Sequence, residues 1–373
     1  MKDSKLFSRF GARLFLTAVF LLTLVAGITS PAAAASQSAV GAVYTSTNVI
    51  SGNEILVYNR SSDGSLALVG SYATGGLGSG AGLGSQSAVA LSHNNHWLFT
   101  VNAGSHQISS FAVTESGLQL IDVVDSGGTL PVSLTVYKDW LYVLNAGGSG
   151  NISGFSVEQD GSLSPLAAST QPLSNDGVGA APAVAQIAFS SDGSTLMVTE
   201  KSTNLIDTYP VENGWAGAPN PHPSAGATPF GFAFDRHNHA IVSEASGSVS
   251  SYSIDKNVFD VISPAIVNGQ VAACWIAISN NGKYAYTTNA GSGTISSYRI
   301  AEDGALTLLN ATAGVIGAGS SPVDMAFSNN GQTMYALANG AHTISIFGMN
   351  ADGSLSSQGL VSVPVGVAGL AAR

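Results

Sequence analysis

The chain is 373 residues long and carries 12 basic residues against 22 acidic ones, for a formal charge of −10. Nucleic-acid binding depends on clustered Lys and Arg that displace counterions, so this composition excludes DNA and RNA as partners. A single cysteine, Cys274, excludes an intrachain disulfide; its place in an apolar run marks a small buried hydrophobe rather than a nucleophile.

At the N-terminus, Lys2, Lys5, Arg9 and Arg13 lead an apolar run from Leu14 to Ile28, and Pro31 to Ala35 offers small-residue cleavage sites. This is the pattern of a secretory signal peptide over residues 1–35. The apolar run, about 15 residues, falls short of the roughly 20 that a spanning helix needs. The expectation is a secreted, extracytoplasmic protein of residues 36–373, with no membrane attachment after cleavage. Removing the leader leaves eight basic residues against 21 acidic ones, so the mature surface would be more acidic still.

From Ala42 onward one hairpin recurs seven times. It is faint at Ala42 to Tyr58, then clear at Leu98 to Val113 (LFTVNAGSHQISSFAV) and at Leu141 to Val157 (LYVLNAGGSGNISGFSV). Leu196 to Val211 and Ala240 to Ile254 are weaker copies; Tyr286 to Ile300 (YTTNAGSGTISSYRI) is the plainest, and Met334 to Met349 the last. Two alternating runs joined by a short Gly-bearing turn read as a β-hairpin. A further apolar run precedes most copies, as Ile187-Ala188-Phe189 precedes Asp192-Gly193. A turn such as Asp160-Gly161 or Asp303-Gly304 and another short run follow. The unit is therefore four antiparallel strands, A to D, repeating every ~43 to 56 residues, which is the signature of a β-propeller blade. One position of strand C is always aromatic (Tyr58, Phe111, Phe155, Tyr209, Tyr252, Tyr298, Phe347) and is expected to pack between blades.

The first copy has no strand A ahead of it, while the last carries a surplus apolar run, Val365 to Leu370. The expected fold class is all-β: a single seven-bladed β-propeller, monomeric, closed by a C-terminal strand that completes the first blade and removes exposed sheet edges.

In such a ring the D–A and B–C connections open on one face and the A–B and C–D turns on the other. Long D–A connections are expected at Thr74–Gln86, Gln171–Ala183, Gly214–Pro229 and Gly314–Ser321, and long loops on a rigid frame are where binding sits. On that face the seven strands B end in Ser46, Asn102, Asn145, Glu200, Glu244, Asn289 and Asn339, and strand A begins near Ser133, Gln186, Trp275 and Asp324. Asparagine suits the capping of a tight turn. Glutamate does not, so Glu200 and Glu244 are the catalytic candidates, expected close together on one open rim. Asn102, Asn145, Gln186, Lys201, Trp275, Asn289, Asp324 and Asn339 are the candidate ligand-binding residues around them. The histidines show no metal-ligand pattern, and neither a metal nor a cofactor is expected.

The seven repeats, with turns at Ser191-Asp192-Gly193, Asn281-Gly282 and Asn330-Gly331, resemble the β-propeller lactonase family of 6-phosphogluconolactonases and carboxymuconate-lactonising enzymes. The hairpin YTTNAGSGTISSY is also similar to the YVTN-type repeats of secreted propellers. The resemblance covers Val40 to Arg373 and implies lactone chemistry on the loop face. It matches the family's two carboxylates to Glu200 and Glu244. Ala185 stands where it implies a channel histidine, and Phe230 and Gly231 stand where it implies an arginine and a second histidine. Lys201 is the cation plainly on that rim, so a phosphorylated lactone would find no anion clamp. Two functions stay open: a divergent lactone hydrolase or cyclase acting on a small non-phosphorylated molecule, and a non-catalytic extracellular module holding a small or carbohydrate-like ligand at the channel mouth.

Overall fold

The computed structural model describes residues 39–255 and 258–373; the leader expected over residues 1–35 lies outside the described residues. Among those described there is no helix, and the strands form seven antiparallel sheets arranged as a seven-bladed propeller. Blade 6 shows the plan, with strands A (Ala273–Ile278), B (Tyr284–Asn289), C (Thr294–Ile300) and D (Leu306–Val315) hydrogen-bonded in that order. Strand B is buried along its whole length because neighbouring blades cover both of its faces, whereas strand D alternates between buried and exposed positions at the outer edge. Small polar residues such as Thr287 and Thr288 can be buried there because blades pack closely and the backbone is paired on both sides.

The outer strand is where sequence and structure part. Gln171–Ala183 and Gly214–Pro229 read as loops, yet pieces of strand D lie within them: Gln171–Pro172 in blade 3, and Trp215–Ala216 with Asn220–Pro223 in blade 4. Pro165, Pro172, Pro221 and Pro223 lack the N–H a ladder requires, so these edge strands survive only as short fragments.

Closure follows the surplus C-terminal run. Ala368–Ala372 pairs antiparallel with Gly41–Ser46 as the inner strand of blade 1. It begins slightly later than the apolar pattern suggests, because Val365 and Gly366 form a turn. Buried Arg60 ties the seam, donating from Nε to the Arg373 carbonyl and from Nη2 to the Val40 carbonyl, both at 3.2 Å.

The core lies between blades. Seven apolar clusters each draw on neighbouring blades, and each contains one of the seven strand-C aromatics, all buried. Polar stitches run beside them. Tyr142, Tyr286 and Tyr335 of strand B donate to the carbonyls of Gly214, Gly353 and Gly64 in the next blade's C–D turn, at 2.9, 2.8 and 2.9 Å. Gly353 has φ +83 and lies flat on the Tyr284 ring, where a Cβ would stand 2.5 Å from ring carbon. Only glycine meets both demands.

Candidate active site at the channel mouth

In blades 3 to 7 strand A shifts register just after its first residue. The shift sets Ser133, Gln186, Gly231, Trp275 and Asp324 at equivalent positions around the channel, all buried. Gln186 is bonded into the next blade, donating to the Phe232 carbonyl (2.9 Å) and accepting from the Phe232 N–H (2.7 Å). Ser133 accepts from the Ile187 N–H in the same way (3.2 Å). These groups stitch inner strands together.

The centre is filled by a residue that the sequence places merely at the end of a loop. Gln86, on the connection from blade 1 to blade 2, donates from its backbone to the Ala185 carbonyl in blade 4 (3.2 Å). Its amide side chain pairs with the Ile276 carbonyl and N–H in blade 6, at 2.9 and 3.3 Å. Gly231 makes room: a Cβ there would lie 2.4 Å from the Gln86 Oε1. The two positions where the family resemblance implies histidines, Ala185 and Gly231, are therefore where the Gln86 segment crosses the axis.

Asp324 anchors the same crossing. Its Oδ1 accepts from the Met325 N–H (2.8 Å), and its Oδ2 from Leu370 of the closing strand (3.1 Å) and from Ser87 (3.4 Å). Burial pushes this carboxyl up to about 7 against the N–H donors that favour its charge. It joins blade 7, the closing strand and the axial segment.

Above this layer sits Lys201. Its Nζ donates to the Gly84 carbonyl (2.8 Å) and stands 4.8 Å from the centre of the Phe230 ring. Phe230 meets Trp275 edge-on at 4.7 Å. The cation thus lies over the residue that replaces the arginine the resemblance implies. Desolvation lowers the amine to about 8, and among the described residues no carboxylate is paired with Lys201. Trp275 is buried and its indole N–H has no partner. Cys274 is buried too, its thiol pushed up to about 11 by burial, in keeping with a structural role.

The two glutamates are placed differently from the open, shared rim expected of them. Each is fully buried beneath the D–A connection that enters its own blade. Glu200 Oε1 accepts from the Ser174 N–H (3.1 Å), and Oε2 from the Ser174 and Thr203 hydroxyls (2.6 and 2.7 Å). Its neighbour is Asp207, which accepts from the same Ser174 N–H at 3.0 Å. Burial first, and Glu200 second, hold the Asp207 carboxyl far above the carboxylate range, so the pair retains a proton. Glu244 Oε2 accepts from Ser248 (2.7 Å) while Oε1 has no partner, and burial raises its pKa. A Cβ on Gly226 would lie 2.4 Å from the Glu244 carboxyl carbon, so the connection lies directly on it.

The asparagines do the same work rather than capping their own turns. Asn102 accepts from the Thr74 hydroxyl (2.7 Å) and donates to Ser109 (2.7 Å), strapping the connection to strand C. Asn145 does so with Ser126 (2.8 Å) and Asn151 (2.8 Å), and Asn289 with Asn268 (3.0 Å) and Ser296 (2.9 Å). Asn339 donates to the Val367 carbonyl just before the closing strand (3.0 Å). Asp207 went unnoticed in the sequence although it had a signal: it occupies the strand-C position held by Ser109, Ser153, Ser250, Ser296 and Ser345 in other blades. Among the described residues no group of three or more His, Cys, Asp or Glu side chains is arranged to hold a metal.

Fold and mouth together define a closed seven-bladed propeller with a segment bonded across its axis and one desolvated lysine on its loop face. The family described as Lactonase, 7-bladed beta-propeller matches over residues 51–177 and 77–368, and the chain belongs to that family. No functionally curated protein matches it in sequence. Among solved structures it is similar to the periplasmic gluconolactonase of Pseudomonas aeruginosa, with 18% identity over 88% of this chain and 98% of that one and a TM-score of 0.69. A candidate 6-phosphogluconolactonase from Bacteroides uniformis gives 20% identity, the same coverage of 88% and 98%, and a TM-score of 0.70. Virginiamycin B lyase of Staphylococcus aureus is more distant, at 12% identity over 74% and 85% of the two chains with a TM-score of 0.53. Identities this low carry the fold; family membership suggests a lactone hydrolase-like function.

Proposed function

We propose that the protein opens a small, uncharged lactone at the loop-face mouth, with Lys201 as its acid–base group. The observation that carries this reading is the Lys201 amine itself. It is half-buried, has no carboxylate partner, is lowered to about 8, and lies over Phe230. A proton-transfer group works best when its pKa is near the working pH. The neutral amine takes a proton from a water as that water attacks the ring carbonyl. Collapse of the tetrahedral intermediate breaks the acyl–oxygen bond, and the ammonium returns the proton to the departing alkoxide, leaving a hydroxy acid. With one lysine and an acidic surface, phosphorylated lactones are poor ligands. In this reading the protein works outside the cytoplasm as a monomer, without metal or cofactor, and touches neither nucleic acid nor membrane.

A second reading, a non-catalytic module binding a small or carbohydrate-like ligand at the same mouth, is favoured by one observation: Glu200 and Glu244 are buried and hydrogen-bonded beneath their loops. A lactone panel separates the two, with glucono-δ-lactone, simple γ-lactones and a phosphorylated lactone as control. The rate should rise with pH through about 8, fall at least ~100-fold in Lys201→Met, and persist in Glu200→Gln and Glu244→Gln. Turnover untouched in Lys201→Met removes the lysine mechanism. Binding without turnover in the parent protein selects the module.

A further inference from the structure

We infer that the opposite face, where the A–B and C–D turns gather, carries a second site that binds a neutral oligosaccharide. A groove of about 1210 Å³ runs there across blades 2 to 4. It exceeds the roughly 300–1,000 Å³ of a site for one drug-sized molecule, which suits a run of sugar rings rather than a single one. Trp97 and Trp140, opening strand B of blades 2 and 3, and Tyr137, closing strand A of blade 3, form its walls and are half-buried. Trp140 lies 5.6 Å from Trp215, which is 43% exposed and lines an adjoining hollow of about 550 Å³. Three of the chain's four tryptophans thus gather on one side of one face.

Blade stacking does not require them. The residue opening strand B seats the next blade's turn, but Thr195 and Thr333 fill that position in blades 4 and 7. Gly161 and Gly214 of the next blade's turns lie on one side of the Trp97 and Trp140 rings, and both indoles stay half-buried, so what they offer the groove is the remaining ring surface and the N–H groups. Of the three N–H groups here, only that of Trp215 has a protein acceptor, the Ala167 carbonyl at 3.2 Å. The rim supplies acceptors for paired hydroxyls: Asp139 is exposed, and Glu158 uses only one oxygen, for Ser156 at 2.8 Å. Lys138, the one lysine or arginine of the lining, lies over the Tyr137 ring at 5.1 Å. Aromatic faces match the apolar C–H faces of sugar rings, and carboxylates accept from their hydroxyls while repelling phosphate or sulfate. That combination selects a neutral glycan.

The test is titration of the mature protein with cellohexaose, chitohexaose and maltohexaose, followed by tryptophan emission and by calorimetry. At least one should shift the emission and release heat in the micromolar to millimolar range. Asp139→Asn with Glu158→Gln should weaken that binding by about tenfold without moving the melting temperature, since both side chains are exposed. Trp97→Phe, which keeps a ring against the neighbouring turn, should weaken it as well, whereas Lys201→Met should leave it unchanged. Absence of any signal with all three sugars at millimolar concentration overturns the proposal. So does binding that survives the groove variants or disappears in Lys201→Met, which would put the sugar at the mouth.

Discussion

Asp324→Asn probes the seam where the ring closes. The side chain accepts from Met325, Leu370 and Ser87, so it holds the closing strand and the axial segment to blade 7. Its pKa is raised from 3.8 to about 7, chiefly by burial. For a carboxyl with a raised folded-state pKa, the stabilising contribution is complete below the unfolded value and is lost as pH climbs through the folded one. Asparagine resembles the protonated acid and does not titrate. Each pH unit between the two pKa values is worth about 1.4 kcal/mol, so the stability of the parent relative to Asp324→Asn should fall by about 3 kcal/mol between about pH 5 and pH 8. The two proteins should be of similar stability at the acidic end, and the variant should be the more stable by about 3 kcal/mol toward the alkaline end. Urea unfolding followed by tryptophan emission at both pH values measures this, with the other buried carboxyls common to both proteins and cancelling. A deficit of equal size at the two pH values would refute the reasoning, because it would mean that the N–H donors outweigh burial and keep Asp324 ionised throughout.

Deleting Pro364 to Arg373 should give insoluble or strongly destabilised protein, since buried Val367 and Leu370 leave with the inner strand of blade 1; cooperative melting at the parent temperature would show that another strand closes the ring. Tyr286→Phe strands the buried Gly353 carbonyl and should cost about 1 to 2 kcal/mol in the same urea assay. Tyr72→Phe is its control: that hydroxyl meets the Ser116 carbonyl in an exposed pair, and its loss should stay within about 0.5 kcal/mol.

The blades were legible because their chemistry is local. Alternation along Tyr284 to Asn289, a Gly-bearing turn and a second alternating run suffice to mark a hairpin, and seven copies, the first one strand short and the last with one to spare, mark a ring with a shared blade. The outer strands of blades 3 and 4 were hidden by Pro172, Pro221 and Pro223, which break the pattern that announces a strand without abolishing the pairing. At the site, sequence could tell that Glu200 and Glu244 end homologous strands. It could not tell that Ser174 and Gly226, on connections reaching in from the preceding blade, would fold over them. Gln86 gave no sign at all. A polar residue in a Gly/Ser-rich loop looks unremarked until its partner is known, and that partner, Ile276, lies 190 residues away.

That axial glutamine has a mechanical consequence. A ring stitched only between neighbours can ovalise: every joint bends a little and the circle flattens, with no single bond broken. Here Ser85 reaches blade 3 through the Val132 carbonyl (2.6 Å), Gln86 reaches blades 4 and 6, and Ser87 reaches blade 7. The segment is a hub with spokes, and a flattened ring would have to stretch some spokes while slackening others.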